Sequence, residues 1–367
     1  MNRKLVLFAL VCVVVAVPSF AASYVVPPDD VFIGKSDTIV IASAGTSYSV
    51  TGPNGDIETV TEFSLGQTIK GFAHPTIQLR VPGGAVDGRV KMVSGAPVFT
   101  PGADYLLFLR DLPTGGVGLT DFGLGVFAFH DDLGHRVVER STEAFGWDLN
   151  GQEHLERKRD AGAFLQYIRS IVAGGSPAAD YVLSAPSTAT ATAESMFRPT
   201  TMATSYTGTS YTVSCGGSGE GCTWAGFPVS FNQGNTEPGA PGTPAGKSAI
   251  TAAFSSWNGA GVGISYVYST NNANTNGITD PPDNVNNIVF EKNLTAFAPA
   301  YTCGGGGLLG IGGINSASGT HLHNGETFVS SHEVDVSMNQ GIANCTSLFN
   351  SGDFNTAVTH EVGHTLG

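Results

Sequence analysis

From residue 24 to about 150 the chain alternates short β-branched or aromatic runs with turn residues. Thr38–Ile41, Ile57–Phe63, Thr76–Val81 and Tyr105–Leu109 read as strands. Pro82-Gly83-Gly84, Gly95-Ala96-Pro97 and Pro101-Gly102 punctuate them. No helix-length 3.6-residue pattern occurs there, and the stretch predicts a small antiparallel barrel or sandwich. Between Leu155 and Ala173 the pattern changes: Ala161, Phe164, Leu165, Ile168, Ile171 and Val172 recur at helical spacing, which predicts one amphipathic helix. Residues 174–205 are dominated by Ala, Ser, Thr, Pro and Gly, cannot build a core, and read as a linker.

A second domain is expected over 206–367. A strand is expected within Trp224–Phe231. Ile250, Ala253, Phe254 and Trp257 share one face of a helix over Ser248–Trp257. Gly263–Tyr268, Asn287–Phe290 and Glu333–Met338 read as strands, and a helix follows from Phe354. This order indicates an α+β chain: an all-β domain over 22–173, then a mixed, mostly parallel sheet with a crossover. No repeat of 20–50 residues is visible.

Composition narrows the function. The 17 Lys and Arg against 30 Asp and Glu give a net charge of −13, which argues against nucleic acid as a partner. The hydrophobic content of 41% argues against a disordered acidic chain. Residues 1–21 have the layout of a secretory signal: Arg3 and Lys4, the apolar run Leu5–Val17, then small residues before a cut after Ala21. That run is shorter than the roughly 20 residues of a spanning helix. The chain is therefore expected to be exported, to the medium or a periplasm, with no membrane span and as a monomer. Cys12 leaves with the signal, and Cys215, Cys222, Cys303 and Cys345 remain. Four cysteines in an exported chain read as two disulfides with three possible pairings. The flexible Gly-Gly-Ser-Gly-Glu-Gly stretch between Cys215 and Cys222 favours Cys215–Cys222 with Cys303–Cys345. The spacing has no C-x2-C pair, which disfavours a four-cysteine zinc site.

Candidate chemistry lies at 360–364, His-Glu-Val-Gly-His. Phe354, Val358, Val362 and Leu366 form a stripe at i, i+4, and Asp353 is placed to cap the helix. At about 100° per residue, His360 and His364 project together from the side opposite that stripe. Two imidazoles one turn apart suit a zinc ion, and Glu361 beside them suits proton removal from a metal-bound water.

With Gly367 three residues after His364, the run HExxHxxG resembles the start of the HExxHxxGxxH motif of the metzincin zinc peptidases. Upstream, Ala249–Trp257, Ile264-Ser265-Tyr266 and Asn287–Phe290 resemble the first helix and following strands of matrixin-type (matrix-metalloproteinase-like) catalytic domains. The resemblance covers about 206–367 and implies a zincin fold, a catalytic Zn2+ held by His360 and His364, and Glu361 as general base. It implies a sharp turn at Gly367 and a third histidine at position 370, which makes the given sequence read as a fragment. A methionine turn would follow further on. The stretch Val81-Pro-Gly-Gly, Gly95–Phe99 and Tyr105–Leu109 resembles a β-domain at the front of some secreted bacterial proteins, with no implied activity.

Matrixins carry a second zinc near His321-Leu322-His323, but their acidic ligands are not matched there, and a solvated loop is the simpler reading. Asp280, Asp283 and the asparagines of 271–287 are candidates for Ca2+ but lack the spacing of a calcium loop. His74, His130, His135, His154 and His332 lie outside any motif. Asn293-Leu-Thr and Asn344-Cys-Thr fit the glycosylation pattern. If 22–173 is a propeptide, latency through a zinc-covering cysteine is excluded, because no cysteine lies between 13 and 214. Arg157-Lys158-Arg159 is a candidate processing site inside the expected helix. The expected function is a secreted zinc endopeptidase acting on peptide or protein substrates. The alternative is a non-catalytic binding module built on a degenerate protease domain.

Overall fold

The computed structural model describes residues 22–132, 134–140, 145–154, 156–183, 221–234, 246–260, 263–271, 275–323, 325–350 and 352–366. The expected signal segment 1–21, most of the expected linker, Cys215 and Gly367 lie outside the described residues.

In chain order, β1 (Ser23–Val26) is followed by α1 (Asp29–Lys35), β2 (Thr38–Thr51), β3 (Ile57–Lys70) and β4 (Thr76–Pro82). Next come β5 (Gly84–Val86), β6 (Arg89–Val93), β7 (Asp104–Asp111) and β8 (Val117–Leu119). Then β9 (Val126–Asp132), β10 (His135–Arg140), β11 (Phe145–Asp148) and β12 (Arg159–Asp160) lead into α2 (Ala161–Val172). The later part holds β13 (Cys222–Thr223), β14 (Val229–Gln233), α3 (Gly246–Asn258), β15 (Tyr266–Asn271) and β16 (Asn287–Lys292). It ends with β17 (Gly307–His323), β18 (Glu326–Asn339), α4 (Thr346–Asn350) and α5 (Asp353–Gly363). The chain is α+β and strand-rich.

Some boundaries differ from expectation for local reasons. Helix α1 is too short to show a period. It is set by Asp29 and Asp30 in its first turn and Lys35 in its last, which suit the helix dipole. Helix α2 starts at Ala161 because Asp160 caps it, accepting from the Ala163 amide at 2.8 Å. The preceding Arg159–Asp160 pair with β10 as a strand. The α2 face buries Tyr167, and Val172 is exposed.

Strands β12-β10-β9-β7-β2-β3-β4, with β8 beside β7, form an antiparallel sheet. Among the described residues no pairing joins β4 to β12, so the sheet is not a closed barrel. Alternation along β7 sends Leu106 and Phe108 into one core and Tyr105, Leu107 and Leu109 into the other. The first of these cores also contains Tyr24, Leu308 and Ile311 of the second sheet, so the two sheets pack face to face.

The second sheet runs β11-β1-β17-β18-β16-β14-β15, with β13 on β18 and the β5–β6 hairpin on β17. Its pairings β14–β15, β14–β16 and β16–β18 are parallel, and β17–β18 is antiparallel. The chain order therefore does not separate two sheets at 174–205. Strands β1, β5, β6 and β11, all from 22–173, complete the sheet of the later half. The cause is the 17-residue strand β17, whose outer edge is a row of backbone donors and acceptors that must be covered. Strand β1 covers Gly307–Gly310, and β6 covers Gly313–Ala317.

Candidate functional site

Helix α5 is placed by its apolar back. Phe354, Val358, Val362 and Leu366 are all buried in a further core, shared with Phe231, Ile250 and Val336, as the i, i+4 stripe requires. Asp353 is the first helical residue, not the cap. Gly352 takes that position at φ 84° with no side-chain cap bond, and Asp353 instead sets its charge at the helix N-terminus. Helix α3 crosses α5 closely. A Cβ on Gly363 would come within 2.5 Å of the Trp257 ring, and Trp257 Nε1 donates to the Thr359 carbonyl at 2.8 Å. Trp224 Nε1 holds the far end through the Thr365 carbonyl at 3.0 Å, and the Tyr266 hydroxyl lies 2.9 Å from Thr365 Oγ1.

On the other side His360 and His364 face one another, with Nε2 atoms 2.9 Å apart and rings 85° from parallel. Burial pushes the His360 imidazole down to about 2, helped by His364, and pushes His364 down to about 4. Both rings are therefore neutral at physiological pH, the form that ligates a metal.

Glu361 is 0% exposed and lies against β1 and β17. Ser23 Oγ donates to Oε1 at 2.5 Å, and the backbone amides of Ser23 and Gly312 also donate to the carboxyl group. Burial outweighs these donors and pushes the acid up to about 8, so it holds its proton at neutral pH. Its second oxygen, Oε2, has no hydrogen-bond partner. Among the described residues no third His, Cys, Asp or Glu joins the histidine pair, or forms a three-residue metal group elsewhere.

The glycines before and within β17 exist for this packing. A Cβ on Gly310 would meet Met338 Sδ at 2.6 Å, and one on Gly312 would meet the Glu361 carbonyl at 2.4 Å. The Cys303–Cys345 disulfide, with Cα atoms 5.5 Å apart, ties the approach to β17 to the turn before α4. Cys222 is also disulfide-bonded.

The remaining sequence candidates are placed as follows. His321 and His323 stand at the end of β17, with rings 6.2 and 6.3 Å from Phe328, and His321 Nδ1 lies 3.0 Å from Ser330 Oγ. Asp280 is ion-paired with Lys292, and Asp283 accepts from Asn276 at 3.0 Å. His130 lies 3.7 Å from Glu139, His154 lies 3.0 Å from Glu156, and His332 lies 3.0 Å from Ser318 Oγ. His74 sits beside the Phe72 ring at 5.2 Å. In the basic run, Arg159 is buried and paired with Asp29 and Glu156, so its backbone and side chain are both engaged.

Sequence reasoning passed over three groups. Ser23 carried no motif, and its place on Glu361 follows only from the β1–β17 pairing. Gly310 and Gly312 were visible only as a glycine-rich stretch. Glu333 and Asp335 lay on an expected strand with no role assigned, yet both are fully buried. Burial and the Glu333 carboxyl beside it push Asp335 well above the carboxylate range, and burial raises Glu333. Asn315 Nδ2 donates to both acids, at 2.8 and 2.7 Å.

The fold and site thus define a strand-rich α+β protein with a helix-borne pair of neutral histidines beside a buried glutamic acid. Comparison with protein-family models, with curated proteins and with solved structures finds no match to this chain.

Proposed function

We propose that the protein is a secreted zinc-dependent endopeptidase. The observation that carries this reading is the pair of neutral imidazoles whose Nε2 atoms converge to 2.9 Å on one face of α5. The donor set fits the metal: imidazole nitrogen suits zinc, and two zinc-bound nitrogens in a tetrahedral site lie about 3.3 Å apart. The orphaned Oε2 of Glu361, on the same helix, is a buried acceptor of the kind functional sites retain. His360 and His364 would hold the ion, with the third ligand expected at position 370. The bound ion supplies a Lewis acid and lowers the pKa of a coordinated water. Glu361, once ionised, takes a proton on its carboxylate from the attacking water and passes it to the nitrogen of the leaving amine. A second reading, a non-catalytic binding module, draws support from Ser23, which occupies the Glu361 carboxyl.

Casein hydrolysis by a chain carrying a histidine at position 370 tests the proposal. Glu361→Ala is expected to abolish hydrolysis while zinc content is retained. Full activity in that variant would refute the role of the glutamate, and a zinc-loaded protein that hydrolyses nothing would favour the binding module.

A further inference from the structure

The edge of β17 beside α5 is built to receive an extended segment. Gly312 donates its amide to Glu361, and a Cβ on Gly310 would approach Glu361 Cγ to 3.2 Å, so this strand runs directly along the glutamate. An antiparallel strand edge offers its backbone donors and acceptors to any extended peptide that pairs with it. Here that partner is the chain's own β1, in the register Ser23↔Gly310, Tyr24↔Leu308, Val25↔Gly307. Ser23 touches Glu361 twice, through its hydroxyl at 2.5 Å and through its amide. Ala22, Ser23 and Tyr24 are each 0% exposed.

A strand serving only the core would place an apolar side chain against an apolar wall. Here a serine hydroxyl meets a buried carboxyl whose second oxygen has no hydrogen-bond partner, an arrangement costly unless the carboxyl is kept for another purpose. We propose that β1 is an autoinhibitory strand. It occupies the β17 edge where an extended substrate would lie, engages Glu361 through Ser23, and keeps the site closed until residues 22–26 are displaced. The inference rests on the protease reading above and names the regulation of that site. Latency then needs no cysteine. It is set by register: the first strand after the expected signal cut delivers a short polar side chain to the glutamate and buries Tyr24 in the core between the two sheets.

The test compares three forms of the full chain with the third ligand present: unaltered, Tyr24→Asp, and one with a specific-protease recognition sequence inserted at exposed Pro28 and cut after folding. Peptide hydrolysis, zinc content and hydrogen exchange at the 308–310 amides are measured on each. Displacing β1 is expected to expose the amides of 308–310 and to raise hydrolysis at least about tenfold. A synthetic peptide of residues 22–26 is expected to suppress the gained activity. If Tyr24→Asp fails to fold, the cut chain carries the test. An unaltered chain that hydrolyses as fast as the released forms overturns the autoinhibition and leaves the protease reading standing. Released, zinc-loaded chains that hydrolyse nothing overturn the protease reading, and the proposed latency falls with it.

Discussion

The buried acids around α2 are balanced by cations, whereas the buried acid on α5 is not. Around α2, Arg140 pairs with Glu156 at 2.6 Å, Arg159 pairs with Asp29 at 3.0 Å, and the Tyr181 hydroxyl donates to Asp29 at 2.8 Å. Both guanidinium groups also lie over aromatic rings, Arg140 on Phe127 at 4.8 Å and Arg159 on Phe164 at 5.3 Å. Burial alone would raise these acids. The two arginines outweigh it, hold Glu156 well below the usual carboxylate range, and lower Asp29. Around α5 no cation among the described residues faces the acid, so burial wins and Glu361 is pushed up to about 8. One cluster has every charge answered and ties α1, α2, β10 and β12 together. The other leaves an acceptor atom unanswered and two ring nitrogens in contact. Unbalanced burial of titratable groups marks the place where chemistry is expected.

The sharpest way to break this comparison is to remove one member from each cluster. Glu361→Ala in a chain freed of β1 is expected to cut hydrolysis by about 10²–10⁴-fold, with the fold retained by circular dichroism. Arg140→Met should do the reverse. It leaves Asp29 and Glu156 short of one buried partner, at a cost of about 3–5 kcal/mol in urea unfolding. Its effect on zinc uptake should be nil. Replacing Cys303 and Cys345 by alanine opens a loop of 42 residues and should lower stability by about 2–4 kcal/mol.

The pH dependence of stability separates the clusters by sign. Asp29 and Glu156 are depressed in the folded chain. Their contribution is present above the unfolded values of 3.8 and 4.5 and is lost as pH falls through the folded values. Glu361 is raised, so its contribution is present below 4.5 and is lost as pH rises through about 8. Urea titrations of the metal-free protein should therefore show an acid limb that Arg140→Met shifts and an alkaline limb that Glu361→Gln removes. An alkaline limb unchanged in Glu361→Gln would contradict the burial of that group as a proton-holding acid. The smallest effect is expected at His321. Its replacement by alanine should change stability by about 0.5 kcal/mol or less and leave zinc affinity unaltered.

What could be read from the chain alone follows the same physics. Helices α3 and α5 were legible because each buries an apolar stripe at helical spacing in the same core, and periodicity reports such burial directly. The projection of His360 and His364 from the side opposite that stripe followed from helix geometry alone. Strand β17 was not legible, because close approach by the Glu361 and Met92 backbones and the Met338 side chain selects glycine where strands usually show β-branched residues. With β17 hidden, its edge was hidden too, and so was the reason β1, β5 and β6 leave their neighbours in sequence to pair with it. Ser23 could not be assigned to Glu361 from sequence, since a contact between residues 338 apart depends on strand register and not on local pattern.

The central claim is that the α5 histidine pair is a zinc site, and a calorimetric zinc titration at neutral pH tests it most directly. The unaltered protein is expected to take up one equivalent, and His360→Ala is expected to lose at least about tenfold in affinity while its melting temperature without metal is unchanged. Uptake that is undetectable in the unaltered protein, or equal in the two proteins, would contradict the account.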